Sequence, residues 1–200
     1  MSRLIGSIGY FLEPIIITST LLHVGYSNDF IINEYGIITG YIMPLILLPS
    51  FFTGAISQAL IPTISYSYSN NNKVYVKKKI KQAIFISLLI GIPVTIMFTF
   101  FPSFPLKLIY NTNLGIDYLR CIAPISILFY IQSILSSSLQ AMGKAKYALQ
   151  GTFLSMILRI SILFIFSLFR IGLWSLIIAT SVNMAFTTLY DLRQVKKELK

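Results

Sequence analysis

Residues 36–62 carry no charged side chain, and neither do residues 82–104. A helix of roughly 20 apolar residues spans the hydrocarbon of a bilayer. Six stretches meet that length: about 4–23, 36–62, 82–104, 118–142, 147–169 and 171–190. The second is too long for a straight crossing, so it tilts or runs past the membrane surface. Composition agrees. Hydrophobic residues make up 56% of the 200-residue chain and charged residues only 11%, about half the charged share of a soluble domain. Such a chain has too little polar surface to cover a globule in water. The predicted fold class is all-α, a polytopic membrane helix bundle of about six transmembrane helices. Residues 1–192 form the six-span lobe and 193–200 a basic cytoplasmic tail.

The net charge is +10, but the bases do not spread over a face as a nucleic-acid domain would need. They gather between the apolar runs, as in membrane loops. Arg3 precedes span one. Lys73, Lys77, Lys78, Lys79 and Lys81 lie between spans two and three, and Lys144 and Lys146 between four and five. Arg193, Lys196, Lys197 and Lys200 follow span six. All of these fall on one side. The other side holds Lys107, Arg120 and Arg170 with the acids Asp29, Glu34 and Asp117. The bias puts both termini in the cytoplasm. Glu13 and Pro14 interrupt the first apolar run and no small-residue cleavage site follows, which argues against a signal peptide. No nucleic-acid partner is expected.

Helix rise converts position into depth at about 1.5 Å per residue. Glu13 in span one and Arg159 in span five then fall near the bilayer middle, with Gln132 of span four and Asn183 of span six at a similar height. Ionisable groups at that depth are costly and face a bundle interior or a wet cavity. Two readings stay open. In one, Glu13 and Arg159 form a structural ion pair, with Gln132 and Asn183 as interhelical hydrogen-bonding groups. In the other they line a transport path, Arg159 meeting an anionic head group or Glu13 exchanging protons or cations.

Pro44, Pro49 and Pro62 stand inside the second apolar run. Proline removes a backbone donor and clashes with the preceding turn. In membranes such breaks survive where neighbours satisfy the freed carbonyls, and they are common where transporters bind substrate. Pro14, Pro44 and Pro49 are the candidate bends. Pro93 and Pro124 add bends in spans three and four, which suits a bundle around a cavity. Gly36 and Gly40 form a GxxxG spacing that suggests close helix contact. Tyr66, Tyr68 and Tyr75 are expected as interfacial anchors. Enzyme chemistry lacks its usual marks: there is no glycine-rich phosphate loop, no carboxylate pair at helical spacing and no metal-ligand set. With one cysteine (Cys121) and one histidine (His23), no disulfide, metal or cofactor is expected.

The stretch GYIMPLILLPSFFTGAISQALIPTISYSYSNNN at 40–72 resembles the stage V sporulation protein B branch of the polysaccharide flippases. These belong to the multidrug/oligosaccharidyl-lipid/polysaccharide (MOP) exporter superfamily. SRLIGSIGYFLEPIIIT at 2–18 is similar to the first span of that family's C-terminal lobe. YLRCIAPISILFYIQSILSSSLQAMGKAKYAL at 118–149 is similar to its fourth span and inner turn, and the Lys-rich segment 73–81 to its basic loop. The resemblance implies a multi-pass protein of a bacterial plasma membrane that moves lipid-linked glycans or wall and spore precursors. It implies alternating access between two six-span lobes around a cavity whose basic interior receives diphosphates. Spans one and two would face the opposite lobe, with Glu13 and the Pro44/Pro49 region near the cavity. The family has twelve to fourteen spans and this chain six, so a separate N-terminal six-span lobe or a second copy is an expected partner, with the lipid bilayer and a lipid-linked glycan. The alternatives are half of a MATE-type drug/cation antiporter and a non-transporting fragment or structural membrane protein.

Overall fold

The computed structural model describes residues 2–200, with side chains from Phe11 onward. The described residues contain helices and turns and no strand. The elements are α1 (Ser2–Val24), α2 (Asn28–Ile37), a π-helical turn (Ile38–Ile42), α3 (Met43–Ser69), α4 (Lys73–Phe100), α5 (Ser103–Tyr110), α6 (Ile116–Ala141), α7 (Ala145–Ser167) and α8 (Trp174–Glu198). Among the described residues, four helical stretches are long and apolar enough to cross a membrane: Asn28–Ser69 taken whole, α4, α6 and α7. The apolar part of α1 described with side chains, Phe11–Val24, is shorter. In α8 the buried side includes Ser175, Thr180, Ser181, Thr187 and Thr188, which lowers its apolarity while keeping those hydroxyls off the lipid.

Several segments expected as loops are helical. Ser27 accepts a hydrogen bond from the Phe30 N–H and starts α2 within 24–35, the stretch between the first two predicted spans, as an N-cap does. α5 reaches from the end of the predicted span 82–104 into the stretch 105–117 that precedes the next span. Asn72 caps α4 by accepting from the Tyr75 N–H, so the Lys-rich segment 73–81 forms that helix's first turns. Lysine is a good helix former. α8 likewise carries the expected tail to Glu198.

Two buried clusters set the helix directions. One joins Leu21, Ile31, Ile38, Phe98, Leu119, Leu163 and Leu173. The other joins Ile64, Val76, Leu139, Ala148 and Val195. The end of α3, the start of α4, the end of α6, the start of α7 and the end of α8 therefore meet at one end of the bundle. Lys73–Lys81, Lys144, Lys146 and the bases of α8 all sit there, and Glu34 and Asp117 sit at the other. α6 packs against α3, α4 and α8 and is the central helix.

Close approach occurs at Gly91 and Gly151, not at Gly36 and Gly40. A Cβ on Gly36 or Gly40 would meet nothing within 4 Å, whereas one on Gly91 would lie 2.7 Å from Tyr130 Cδ2. One on Gly151 would lie 2.8 Å from Tyr190 Cδ1. The GxxxG spacing falls where the chain faces no neighbour. The corners are short and closed by left-handed residues: Gly25, Asn71, Asn111, Gly115, Gly143 and Arg170 with Gly172. After Gly25, Asn71, Asn111 and Gly143 the next N–H closes a helix-end carbonyl, as in Asn72 N–H to Ser67 O at 2.9 Å and Lys144 N–H to Leu139 O at 2.8 Å. Arg170 has a side chain that disfavours this conformation. Its carbonyl accepts from the Tyr26 hydroxyl at 2.5 Å, which ties the α7–α8 corner to α2's approach.

Candidate functional site

The prolines leave the helices continuous. α1 runs through Pro14, and α3 begins beside Pro44 and runs through Pro49 and Pro62. Strain at Pro44 is taken up before it, where the Met43 N–H reaches the Ile38 carbonyl in the π-helical turn. Such π turns are often found at functional sites. At Pro49 the missing N–H leaves the Leu45 carbonyl without its helical donor. The buried Tyr130 hydroxyl donates to the next carbonyl, that of Ile46, at 3.0 Å and accepts from Ser126 Oγ at 3.2 Å. A neighbouring helix thus supplies a donor beside the break, which is how such breaks persist away from water.

The π turn also sets the side chains ahead of it. Thr39 Oγ1 donates to the Tyr35 carbonyl at 2.7 Å, and the Tyr35 hydroxyl points to Glu13 Oε1 at 3.5 Å. Glu13 is buried on α1 and forms an ion pair with Arg159 Nη2 on α7. Arg159 Nη2 also donates to Thr180 Oγ1 on α8 at 3.4 Å. A carboxylate and a guanidinium at this depth each carry a large desolvation cost, which their mutual attraction and further hydrogen bonds offset.

This pair lies in a cavity of about 430 Å³. Its wall includes Glu13, Tyr35, Phe129, Gln132, Arg159, Thr180, Asn183 and Thr187. All four polar residues singled out from depth, Glu13, Arg159, Gln132 and Asn183, therefore line one space. Tyr35, Thr180 and Phe129 escaped sequence reasoning. Thr180 had a usable signal: Arg159 and Thr180 stand about equally far from the α7–α8 corner, so an antiparallel hairpin brings them level. Tyr35 had none, because its reach to Glu13 depends on α2 being helical.

A second cavity, about 480 Å³, continues along α6 and shares Phe129 and Gln132 with the first. Ser50, Ser57 and Gln58 of α3 face Ser133, Ser136, Ser137 and Gln140 of α6 across it. Ser57 and Ser133 hydroxyls lie 3.0 Å apart. Among the described residues, none that lines this chamber is charged. Hydroxyls and amides both donate and accept, which matches neutral polar groups. The first chamber presents a guanidinium, which matches carboxylate or phosphate oxygens.

At the basic end, Lys144 Nζ and the Tyr68 hydroxyl both reach Glu198 Oε2 at 3.1 Å. Tyr68, expected as an interfacial anchor, thus also joins α3 to the end of α8. Lys79 lies over the Tyr75 ring at 5.3 Å. Burial pushes the Glu198 carboxyl up, but hydrogen bonds from Lys144 and Tyr68 outweigh it and hold it below the usual range.

The MatE family model matches residues 9–165. Stage V sporulation protein B of Bacillus subtilis (strain 168) is 30% identical over 99% of this chain and 38% of its own length. Sporulation protein YkvU of the same organism is 27% identical over 99% of this chain and 45% of its own length. Lipid II flippase MurJ, also from Bacillus subtilis, is 24% identical over 69% of this chain and 26% of its own. The chain thus spans less than half the length of these relatives. No solved structure matches. The apolar helices and bacterial relatives describe a multi-pass protein of the plasma membrane, and the family match covers most of the sequence: the chain belongs to the MatE family.

Proposed function

We propose that the chain is the C-terminal six-span lobe of a flippase for lipid-linked polysaccharide or cell-wall precursors, acting by alternating access. It is a transporter lobe rather than an enzyme. A second six-span lobe, from a separate chain or a second copy, completes the cavity. The observation that carries this reading is the buried Glu13–Arg159 pair in a cavity at membrane depth, together with the likeness to a lipid II flippase. Arg159 exchanges the Glu13 carboxylate for diphosphate oxygens when substrate enters, since its planar fork suits both. Gln132 and Asn183 orient the group beyond the phosphates. The Ser/Gln chamber along α6 receives sugar hydroxyls. The bends at Pro14, Pro44 and Pro49 shape the wall facing the second lobe.

The test is co-expression with a six-span N-terminal lobe, reconstitution in vesicles, and a quenching assay on a fluorescent lipid-linked glycan. Arg159→Gln should lower flipping ~10-fold or more, the loss expected when a charge-assisted contact is removed. The exchange Glu13→Arg with Arg159→Glu should fold yet fail to flip. Full flipping by the exchanged pair would reduce Glu13 and Arg159 to a structural role and overturn the assignment. A drug/cation antiporter half would need Glu13 as its ion-coupling group. The occupation of that carboxylate by Arg159 weighs against this.

A further inference from the structure

The last turns of α8 have two unlike sides. Asp191 and Val195 are buried against the bundle, and Glu198 is held by Lys144 and Tyr68. The other side carries Leu189, Arg193, Lys196 and Lys197, which line a shallow hollow of about 460 Å³ together with Lys200 and with Leu192, half-buried and packed partly against the second core cluster. Spacings of three and four residues put Leu189, Leu192, Arg193, Lys196 and Lys197 on one helix face, and Lys200 follows just past the end of α8. Leu189 is 60% exposed. Along the helix the order is apolar first, toward the bilayer, and basic last, toward water. The one acid among the basic turns is engaged elsewhere, so the bases of this face have no acidic partner on their own side of the helix.

We propose that this face binds the phosphate head group of an anionic phospholipid from the leaflet at the basic end, with acyl chain against Leu189 and Leu192. A free anion would need only the bases. A nucleic acid would gain nothing from leucines continuous with the hydrocarbon. A lipid needs both, in this order. Each base near an anionic membrane surface adds ~5-fold to binding, so the face should discriminate strongly by head-group charge. The site does not depend on the flippase reading.

The experiment uses the full chain in nonionic detergent, titrated with dioctanoyl phosphatidylglycerol, dioctanoyl phosphatidylcholine or inorganic phosphate, with bound lipid read by native mass spectrometry. Phosphatidylglycerol should bind ~10-fold or more tighter than phosphatidylcholine. The triple variant Arg193→Gln, Lys196→Gln, Lys197→Gln, all exposed positions, should erase that preference. The matched variant Lys77→Gln, Lys78→Gln, Lys79→Gln on α4, at the same end of the bundle, should keep it. Leu189→Ser should weaken phosphatidylglycerol and leave phosphate unchanged. Equal binding of both lipids would overturn the proposal. So would loss in the α4 variant equal to that in the α8 variant, which would mean diffuse attraction. Phosphate competing as well as the lipid, with no effect of Leu189→Ser, would mean a soluble-anion site instead.

Discussion

Two ion pairs among the described residues share one chemistry in opposite settings. Glu13–Arg159 joins α1 to α7 at membrane depth, with both side chains nearly buried. Lys144–Glu198 joins the α6–α7 corner to the end of α8, with the lysine side chain 38% exposed. In the first, each charge has given up most of its hydration and depends on the other. In the second, water and salt share the work and the net gain is small. The contrast separates an element that the fold cannot lose on one side alone from one that trims the edge of the bundle. In the proposed function it is the buried pair that exchanges partners with an incoming anion, because its charges have no solvent to fall back on.

The largest expected effect tests that dependence. Arg159→Leu or Glu13→Leu alone should destabilise the lobe by ~3–5 kcal/mol, and the double variant should recover most of the loss. Unfolding midpoints in detergent measure this. Single losses no larger than that of Lys144→Ala would erase the distinction between the two settings. Next comes the packing that holds the chamber wall. Gly91→Ala should cost about 1–3 kcal/mol, because the Tyr130 ring must move. Tyr130→Phe should cost ~1–2 kcal/mol, because the hydroxyl between Ile46 O and Ser126 is lost. The two effects should not add, since both act through one ring.

The smallest effect is at the exposed pair, and its pH dependence sharpens the comparison. Glu198 is held below its ordinary value of 4.5. Its contribution is therefore present above that value and lost as pH falls through the lowered one. Lys144 is raised above 10.5, chiefly by its hydrogen bond with Glu198. Its contribution is present below 10.5 and lost as pH rises through the raised value. Between those limits the clamp should be flat with pH. Melting curves of the parent and Lys144→Ala should run parallel from pH 6 to pH 9 and converge in acid, below the ordinary carboxylate value. A difference that varies through neutrality would mean another group controls this corner.

Much of this was legible before any coordinates. Apolar run length and the charge asymmetry predicted the long helices and which ends share a side. Depth alone brought Glu13, Gln132, Arg159 and Asn183 to one level, and they line one cavity. Other features were hidden for specific reasons. The segments 28–37 and 103–110 are too short and mixed for periodicity to separate helix from loop. Gly36 and Gly40 had the right spacing, but spacing does not say which side of a helix meets a partner. Tyr35 reaches Glu13 only because a π turn and a second helix aim it. The neutral chamber arises from serines and glutamines on two helices, and their confrontation is a product of tertiary packing.

The tight corners have a mechanical consequence. Gly25, Asn71, Gly143 and the Arg170–Gly172 pair join neighbouring helices with only a few residues. Couplings that short transmit displacement instead of absorbing it. A load on one rod is then shared with its neighbours in the bundle. Joints of this kind favour pivoting of the lobe as one lever over the sliding of single helices.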